Sequence, residues 1–586
     1  MSHAHWYRSH QDRPPWGKKF SVRTPLSYLP ILRATRAPAE IPCIANACNS
    51  FDCMPSSSSP SIPALKEALS HPEAYPHNPD RIEFKQTHIS LIALAPPRVY
   101  KIKKPVALAF LDFSTLDRRR HYANEEVQLN RRLAPGTYEG VVPIVQTDAG
   151  LRVEGDPNSG EVVEVAVKMH YLEPSHFLDA RLARGDAGAP EIDRVVQTLC
   201  AFYESCPATA KVAEAGRIDR LRAVTEENFD EAEGHVGTLL SAPAHEALQF
   251  YARRFYDQYA SLLHQRRAGG FFVEGHGDLR LEHVHVTDER VAIFDCIEFN
   301  EEFRHLDVAN DVAFLAMDLD HHGHPGLSRR FVERMAQGLD DPDLRRLIPF
   351  YKSQRAQVRG KVGGLQATED AIPLPERARS RAQARHHYQW ALRYAVAGST
   401  PLVVVIMGRP GTGKSTQAMA VARALGWPQL ASDRIRKAHA GVPLHGRADA
   451  ETRERLYTDA MSEATYATLR TRARRAARRH RGTVLDATFS RYAQRERLRT
   501  TLQAADVPHV FVELTAPDEE LKRRLRRRSA DDATASDARA SDFEMLTERY
   551  EAPDALEDPR HVKVRTEGAP EDTTLRILKT LIRLAD

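Results

Sequence analysis

Residues 408–416 read GRPGTGKST, and their neighbours decide how the run is understood. Gly408, Gly413, Lys414 and Ser415 occupy the four fixed places of the pattern G-x-x-x-x-G-K-[ST]. Before them LVVVIM at 402–407 is a continuous apolar run rich in β-branched residues, the pattern of a strand buried on both faces. After them TQAMAVARALG at 416–426 has helical apolar spacing and ends at a glycine. A strand, a glycine-rich turn and a helix are the setting in which this pattern binds phosphate. Its glycines let backbone N–H groups close on phosphate oxygens, and the helix N-terminus adds partial positive charge. Gly408, Arg409, Pro410, Gly411, Thr412, Gly413, Lys414, Ser415 and Thr416 therefore read as a cradle for ATP. Lys414 is expected at the β/γ-phosphates and the Ser415 hydroxyl on Mg²⁺.

Downstream, QLASDRIRK at 429–437 is a short strand leading into a helix. Asp433, where that strand ends, is placed to orient and deprotonate an acceptor hydroxyl. Arg436 follows three residues on along the same helix face and is a candidate to hold an anionic acceptor group. The same SDR run also reads as a plain helix N-cap. GTVLDATFS at 482–490 is a strand ending in Asp486, a carboxylate for Mg²⁺. Ala487 follows, where motor ATPases of the AAA+ kind carry a water-activating Glu; this favours transfer to an acceptor over hydrolysis. HVFVELTAPDEELKRRLRRR at 509–528 reads as strand, turn and basic helix. Arg524 and Arg528 are candidates there to neutralise a transferred phosphoryl group, against a merely solvated face. Strands alternating with helical stretches predict a parallel, doubly wound sheet. From 402 to about 580 the chain resembles the small P-loop kinases, which include gluconate kinase, chloramphenicol phosphotransferase, zeta toxins and phage polynucleotide kinase. D-x-x-R at 433–436 and LDAT at 485–488 look closest to the polynucleotide-kinase-like branch.

At 586 residues the chain exceeds a single core, and 42% hydrophobic with 28% charged residues is ordinary globular composition. The net charge of +4 shows no global nucleic-acid footprint. No apolar run approaches the ~20 residues of a membrane helix. Cys43, Cys48, Cys53, Cys200, Cys206 and Cys296 form no C-x-x-C pair, which suggests a reducing cytoplasm. Residues 1–60 are rich in Pro, Ser, His and Arg and read as disorder or a non-native leader, with a natural start near Met54.

Between 61 and 397 a second chemistry is visible. IEFKQTHISLIAL and RVYKIKK, separated by APP, read as two adjacent antiparallel strands over 82–104. A period of two puts Val99, Lys101 and Lys103 on one face. A helix over about 115–133 carries Glu126, the partner for one of those lysines at a nucleotide's α/β-phosphates. EGHGDLRLEH at 274–283 and VAIFDCIEFN at 291–300 supply an Asp for a substrate hydroxyl, Asp278, and a second Asp after an apolar strand, Asp295. HGDL followed by FDxIEF resembles the aminoglycoside phosphotransferase superfamily. VYKIKKPVALAFLDFSTLDRRR, NEEVQLNRRLAP, RHLDVANDVAFLAMDLD and FYKSQRAQVRGKV resemble one bacterial subfamily in which such a domain is fused to a P-loop kinase. The resemblance implies a two-lobed, protein-kinase-like α+β fold over 61–397, with Asp278 as base and Asp295 on Mg²⁺. It also implies Arg304, Asp307 and Asp311 as structural supports. His283, a metal candidate, stands where the family has a metal-binding Asn; Mg²⁺ prefers hard oxygen ligands, so His283 is either no ligand or part of a different metal arrangement. The glycine-rich lid is missing too. His321, His322 and His324 read as a polar loop, with metal binding as the alternative. A basic helix over about 376–396 is expected as a solvated connector, and 398–586 as the P-loop domain.

The expectation is a cytoplasmic phosphotransferase that moves the γ-phosphoryl of Mg·ATP to a small-molecule hydroxyl. The N-terminal domain is a second phosphotransferase or a nucleotide sensor. Two alternatives stay open. One is a nucleotide-dependent regulator or toxin-like module with a pseudokinase N-domain; tight ATP binding without turnover would favour it. The other is a polynucleotide 5′-hydroxyl kinase, which the modest charge and missing aromatic–basic track oppose.

Overall fold

The structure is a computed structural model that describes residues 60–108, 111–369, 372–444, 449–529, 541, 543–553 and 560–585. The expected leader and its Met54 start lie outside the described residues. The chain divides into two compact units: residues up to 131 with 135–171 and 268–271, and residues 132–134, 172–267 and 272–586.

In the first unit, among the described residues, strands Glu83–Gln86 (β1), Ser90–Ala95 (β2), Arg98–Lys103 (β3), Tyr138–Thr147 (β4), Gly150–Val153 (β5) and Glu161–His170 (β6) form one antiparallel sheet. Its order is β1-β2-β3-β6-β4-β5. Alternation sends Leu91, Ala93, Tyr100, Ile102 and Ala166 into one apolar core. Helix Leu116–Asn130 (α1) starts where the Thr115 hydroxyl accepts from Arg118 N–H. It is tied to the sheet by charge. Arg119 and Glu164, both buried, meet at 2.8 Å. The run expected as a single strand over 82–94 is instead a hairpin, because Thr87 Oγ1 accepts from the N–H groups of Ile89 and Ser90 and turns the chain.

In the second unit, helix Val308–His321 (α2) is buried almost all round and packs on Leu344–Gln366 (α3), which pairs with Leu374–Ala397 (α4). The connector helix differs from expectation. Its first turns are exposed, but Tyr388, Trp390, Ala391, Leu392, Tyr394 and Ala395 are buried. Those side chains share a core with Val404 and Ile406, so the joint at 397–400 is held by packing rather than left in solvent.

The strands Leu402–Met407 (β7), Gln429–Ala431 (β8), Gly482–Asp486 (β9), His509–Thr515 (β10) and His561–Arg565 (β11) form a five-stranded parallel sheet in the order β8-β9-β7-β10-β11. Val404 and Ile406 enter a core on one face with Ala418 and Leu425; Val403, Val405 and Met407 enter another with Tyr466 and Leu469. That double burial is why the run is apolar at every position. Helices Lys414–Leu425 (α5), Ser432–Ala440 (α6), Asp459–His480 (α7), Asp518–Ser529 (α8) and Pro570–Ala585 (α9) flank the sheet. Among the described residues no helix is long and apolar enough to cross a membrane.

Candidate functional site

The turn between β7 and α5 needs its glycines. Gly408 has φ 134°, and a Cβ there would lie 2.5 Å from the Leu514 carbonyl oxygen. Gly413 caps α5 at φ 86°, in the left-handed region that non-glycine residues rarely adopt. Inside the turn Thr412 is buried and donates from Oγ1 to the Arg409 carbonyl at 2.8 Å. Lys414 Nζ donates to the same carbonyl at 3.0 Å, so the ammonium is folded over the loop. Arg409 itself turns outward to Asp518 at 2.6 Å. Pro410 and Gly411 complete the bend, and Thr416 stands exposed on the first turn of α5 beside Ser415.

Two carboxylates meet this loop. Asp486 ends β9, the neighbour of β7, and is buried. Burial raises its pKa; the Ser415 hydroxyl and the Lys414 ammonium pull it down, and the Asp433 charge pushes it up again. The net direction is upward. Asp433 lies in the first turn of α6, following β8, so three adjacent strands deliver Ser415, Asp486 and Asp433 to one end of the sheet. Two like charges beside one another, with a hydroxyl and an ammonium in reach, are an arrangement a cation would stabilise. All the donors are hard oxygens, which suits Mg²⁺.

Two residues that motif reading does not single out complete this corner. Gln429 donates from Nε2 to Asp486 Oδ2 at 3.3 Å. Tyr466 is buried, accepts the Phe489 N–H at 3.1 Å, and has its pKa pushed up to about 12, first by burial and then by the Asp433 and Asp486 charges. Gln429 carries no sequence signal, whereas Tyr466 sits on the buried stripe of α7.

The arginines hold other protein groups in this structure. Arg436 is buried, donates from Nη1 to the Leu456 carbonyl at 3.1 Å and to Ser462 Oγ at 3.2 Å, and lies over the Tyr457 ring. Arg524 pairs with Glu520 at 2.6 Å and donates to Thr566 Oγ1 at 2.8 Å. Both tie elements together in this geometry. The Arg528 side chain lies outside the described residues.

In the first unit Lys101 and Lys103 both meet the buried Glu126, each at 2.8 Å, so the strand–helix pair forms with two lysines and not one. In the second unit the 276–283 loop is held by α2. The Asp311 carboxylate accepts from the N–H groups of His276 at 2.6 Å and Gly277 at 2.9 Å. Asp318 accepts from Leu281 N–H at 2.9 Å. Arg304 bonds Glu274 and the Ile297 carbonyl, and Asp307 grips the buried Arg266.

His283 is buried between the two aspartates, with Nδ1 3.6 Å from Asp278 Oδ2 and Nε2 3.4 Å from Asp295 Oδ2. Its Nδ1 lies 2.9 Å from the Asp278 carbonyl, which can only accept, so that nitrogen carries a proton. Arg280, two residues after Asp278, lies 3.2 Å from its carboxylate. Burial pushes Asp278 up, but Arg280, His283 and Arg359 outweigh it, and the net shift is downward. Asp295 sits at φ 63°. Among the described residues no group of three or more His, Cys, Asp or Glu side chains is arranged to hold a metal, the His321–His322–His324 run included. His321 instead stacks on His387 with ring centroids 4.4 Å apart.

Comparison with known proteins gives relatives for both parts of this description. Over 356 residues the chain is 29% identical to the uncharacterized proteins Rv2004c of Mycobacterium tuberculosis (strain ATCC 25618 / H37Rv) and Mb2027c of Mycobacterium bovis (strain ATCC BAA-935 / AF2122/97), covering 61% of this chain and 68% of theirs. Among solved structures it is similar to a gluconokinase from Sinorhizobium meliloti 1021, at 24% identity over 32% of this chain and 94% of that one, TM-score 0.24. A sugar kinase from Janibacter sp. HTCC2649 is similar at 23% identity over 31% and 94%, TM-score 0.23. A family model described as AAA domain matches residues 403–553. With its glycine turn, parallel sheet and paired carboxylates, the C-terminal part is a P-loop nucleotide-binding domain.

Proposed function

We propose that residues 398–586 form an ATP-dependent kinase that phosphorylates a hydroxyl group of a small molecule. The observation that carries this reading is the convergence of Ser415, Lys414, Asp486 and Asp433 on one end of the sheet. ATP would supply the γ-phosphoryl group, and its Mg²⁺ the positive charge that offsets the two carboxylates. Ser415 and Asp486 would hold the metal, and Lys414 would leave the Arg409 carbonyl for the phosphates. Asp433, less buried than Asp486, would take the proton of the acceptor hydroxyl as its oxygen bonds to phosphorus and ADP leaves. Ala487 after Asp486 supports transfer over hydrolysis.

For residues 61–397 we propose a two-lobed kinase-like fold directed to a second nucleotide. Lys101, Lys103 and Glu126 within the first unit, and Asp278 and Asp295 within the second, each support it. A sensing role for this part has one specific support: Arg280 already pairs with Asp278, the expected base, and His283 lies against Asp295, the expected metal ligand. The test is steady-state ATP turnover by the full chain against sugars, sugar acids and amino alcohols, with Asp433→Asn and Asp278→Asn alongside. Acceptor-dependent ADP release lost in Asp433→Asn and kept in Asp278→Asn supports the C-terminal kinase with an N-terminal sensor. Unchanged turnover in Asp433→Asn would remove Asp433 from the chemistry.

A further inference from the structure

The end of α7 reads TRARRAARRH at 471–480. Ala473 and Ala477 are buried in the core beneath the sheet, while Arg472, Arg474, Arg475, Arg478 and Arg479 are exposed. At about 100° per residue these five arginines fall within an arc of about 160° over about two turns.

Several exposed arginines elsewhere in this part have acidic partners. Arg491 meets Asp459 at 2.9 Å, Arg497 meets Glu463 at 2.6 Å, and Arg523 meets Glu520 at 2.7 Å. Arg470, one turn earlier on α7, meets Glu463 at 3.4 Å. Among the described residues no such ion pair joins the five arginines of 472–479; Arg478 reaches only a carbonyl, that of Ala505, at 3.4 Å. No acidic residue occurs from 464 to 480, and every basic side chain from 470 to 479 is arginine.

A solvated helix face carries mixed signs, which this one does not. The helix dipole favours cations in the last turn, which accounts for Arg478 and Arg479 but not for Arg472, Arg474 and Arg475 above it. A membrane surface would select apolar anchors among the charges, and no large exposed apolar side chain of the described residues lies on α7. Guanidinium forks match phosphate oxygens in geometry as well as charge. A single-stranded partner would need aromatic platforms between the arginines, and TRARRAARRH has none.

We propose that this face of α7 docks the phosphate backbone of duplex nucleic acid, without reading its sequence. It is not the acceptor site. α7 leads directly into the start of β9, so its arginines lie at the opposite end of the parallel sheet from the glycine turn, about 17 Å away along the strand. The proposal does not depend on the kinase reading.

Fluorescence anisotropy of the full chain with labelled DNA and RNA duplexes, across a salt series, tests it. Five phosphate contacts predict a slope of log affinity against log salt of about −4.5 for DNA. Arg472→Gln/Arg474→Gln/Arg475→Gln/Arg479→Gln should bring the slope near about −1 and cost at least about tenfold in affinity. Glutamine keeps helix propensity, and unchanged ATP binding verifies the fold. Absence of duplex binding at low salt would overturn the proposal, as would an unchanged slope in the folded variant. So would capture by polyglutamate or phosphatidylserine vesicles but not by duplex.

Discussion

Asp320→Ala is the sharpest probe of how the helical region and the P-loop sheet are joined. Asp320, on α2, is buried and accepts from Lys352 Nζ at 2.8 Å, from Tyr394 OH at 3.0 Å and from Arg481 Nη1 at 3.1 Å. Lys352 comes from α3 and Tyr394 from α4, whereas Arg481 is the last residue before β9, the strand that carries Asp486. Removing one partner from a buried ion pair costs about 3–5 kcal/mol, because the charge left behind has lost its compensation. Two features place this case at the low end. Lys352 keeps Ser328 Oγ at 2.9 Å and Ser399 Oγ at 3.0 Å, and Arg481 is 15% exposed. The expected loss is therefore about 3 kcal/mol. Urea unfolding followed by tryptophan fluorescence reads it directly, since the Arg481 guanidinium lies 5.6 Å from the Trp390 ring. Asp320→Leu combined with Lys352→Met should recover part of the loss, as apolar replacement of a buried pair does. A loss below about 1 kcal/mol in Asp320→Ala would refute the argument.

Gly408→Ala should cost about 1–3 kcal/mol and abolish ATP binding by calorimetry, since the new Cβ meets the Leu514 carbonyl and the φ is one alanine rarely adopts; wild-type affinity would contradict the clash. Asp486→Asn removes one of two neighbouring negative charges, so it should raise the melting temperature without ligand while erasing the Mg²⁺-dependent stabilisation by ATP. A lower melting temperature would argue against repulsion at that corner. His322, bonded to Asp318, is raised to about 9, chiefly by that hydrogen bond. A raised histidine contributes fully below its unfolded value near 6.5 and loses that contribution as pH climbs through about 9. Asp318, lowered to about 2, contributes above its ordinary value near 3.8 and loses it only on acidification towards 2. The stability lost between pH 6 and pH 9.5 should thus shrink in His322→Ala, and identical pH profiles would dismiss the pair.

Much of the candidate site was legible because its determinants are local. The strand, turn and helix around Gly408–Ser415 follow from unbroken apolarity, glycine spacing and helical periodicity. The loop 276–283 with Asp278, and Asp295 after its apolar strand, stand out through short motifs. Local pattern failed where one polar residue redirects the backbone, as Thr87 does in turning an expected strand into a hairpin. It also failed for the connector helix, since a count of arginines in its first half hides the aromatic residues buried in its second.

The sequence by itself determined that a phosphate-binding turn exists and which residue types stand beside it, because backbone dihedrals and hydrogen bonding act over a few residues. Only the tertiary structure decided the partners. Arg436 and Arg524 carry the same charge wherever they point, and only the packing of α6 against the 456–462 turn and of α8 against Thr566 shows which partners they hold. The link between the helices and the sheet joins Asp320 to Arg481 across 161 residues. A pairing of that separation leaves no periodic trace in a sequence, and it forms only when two cores close around it.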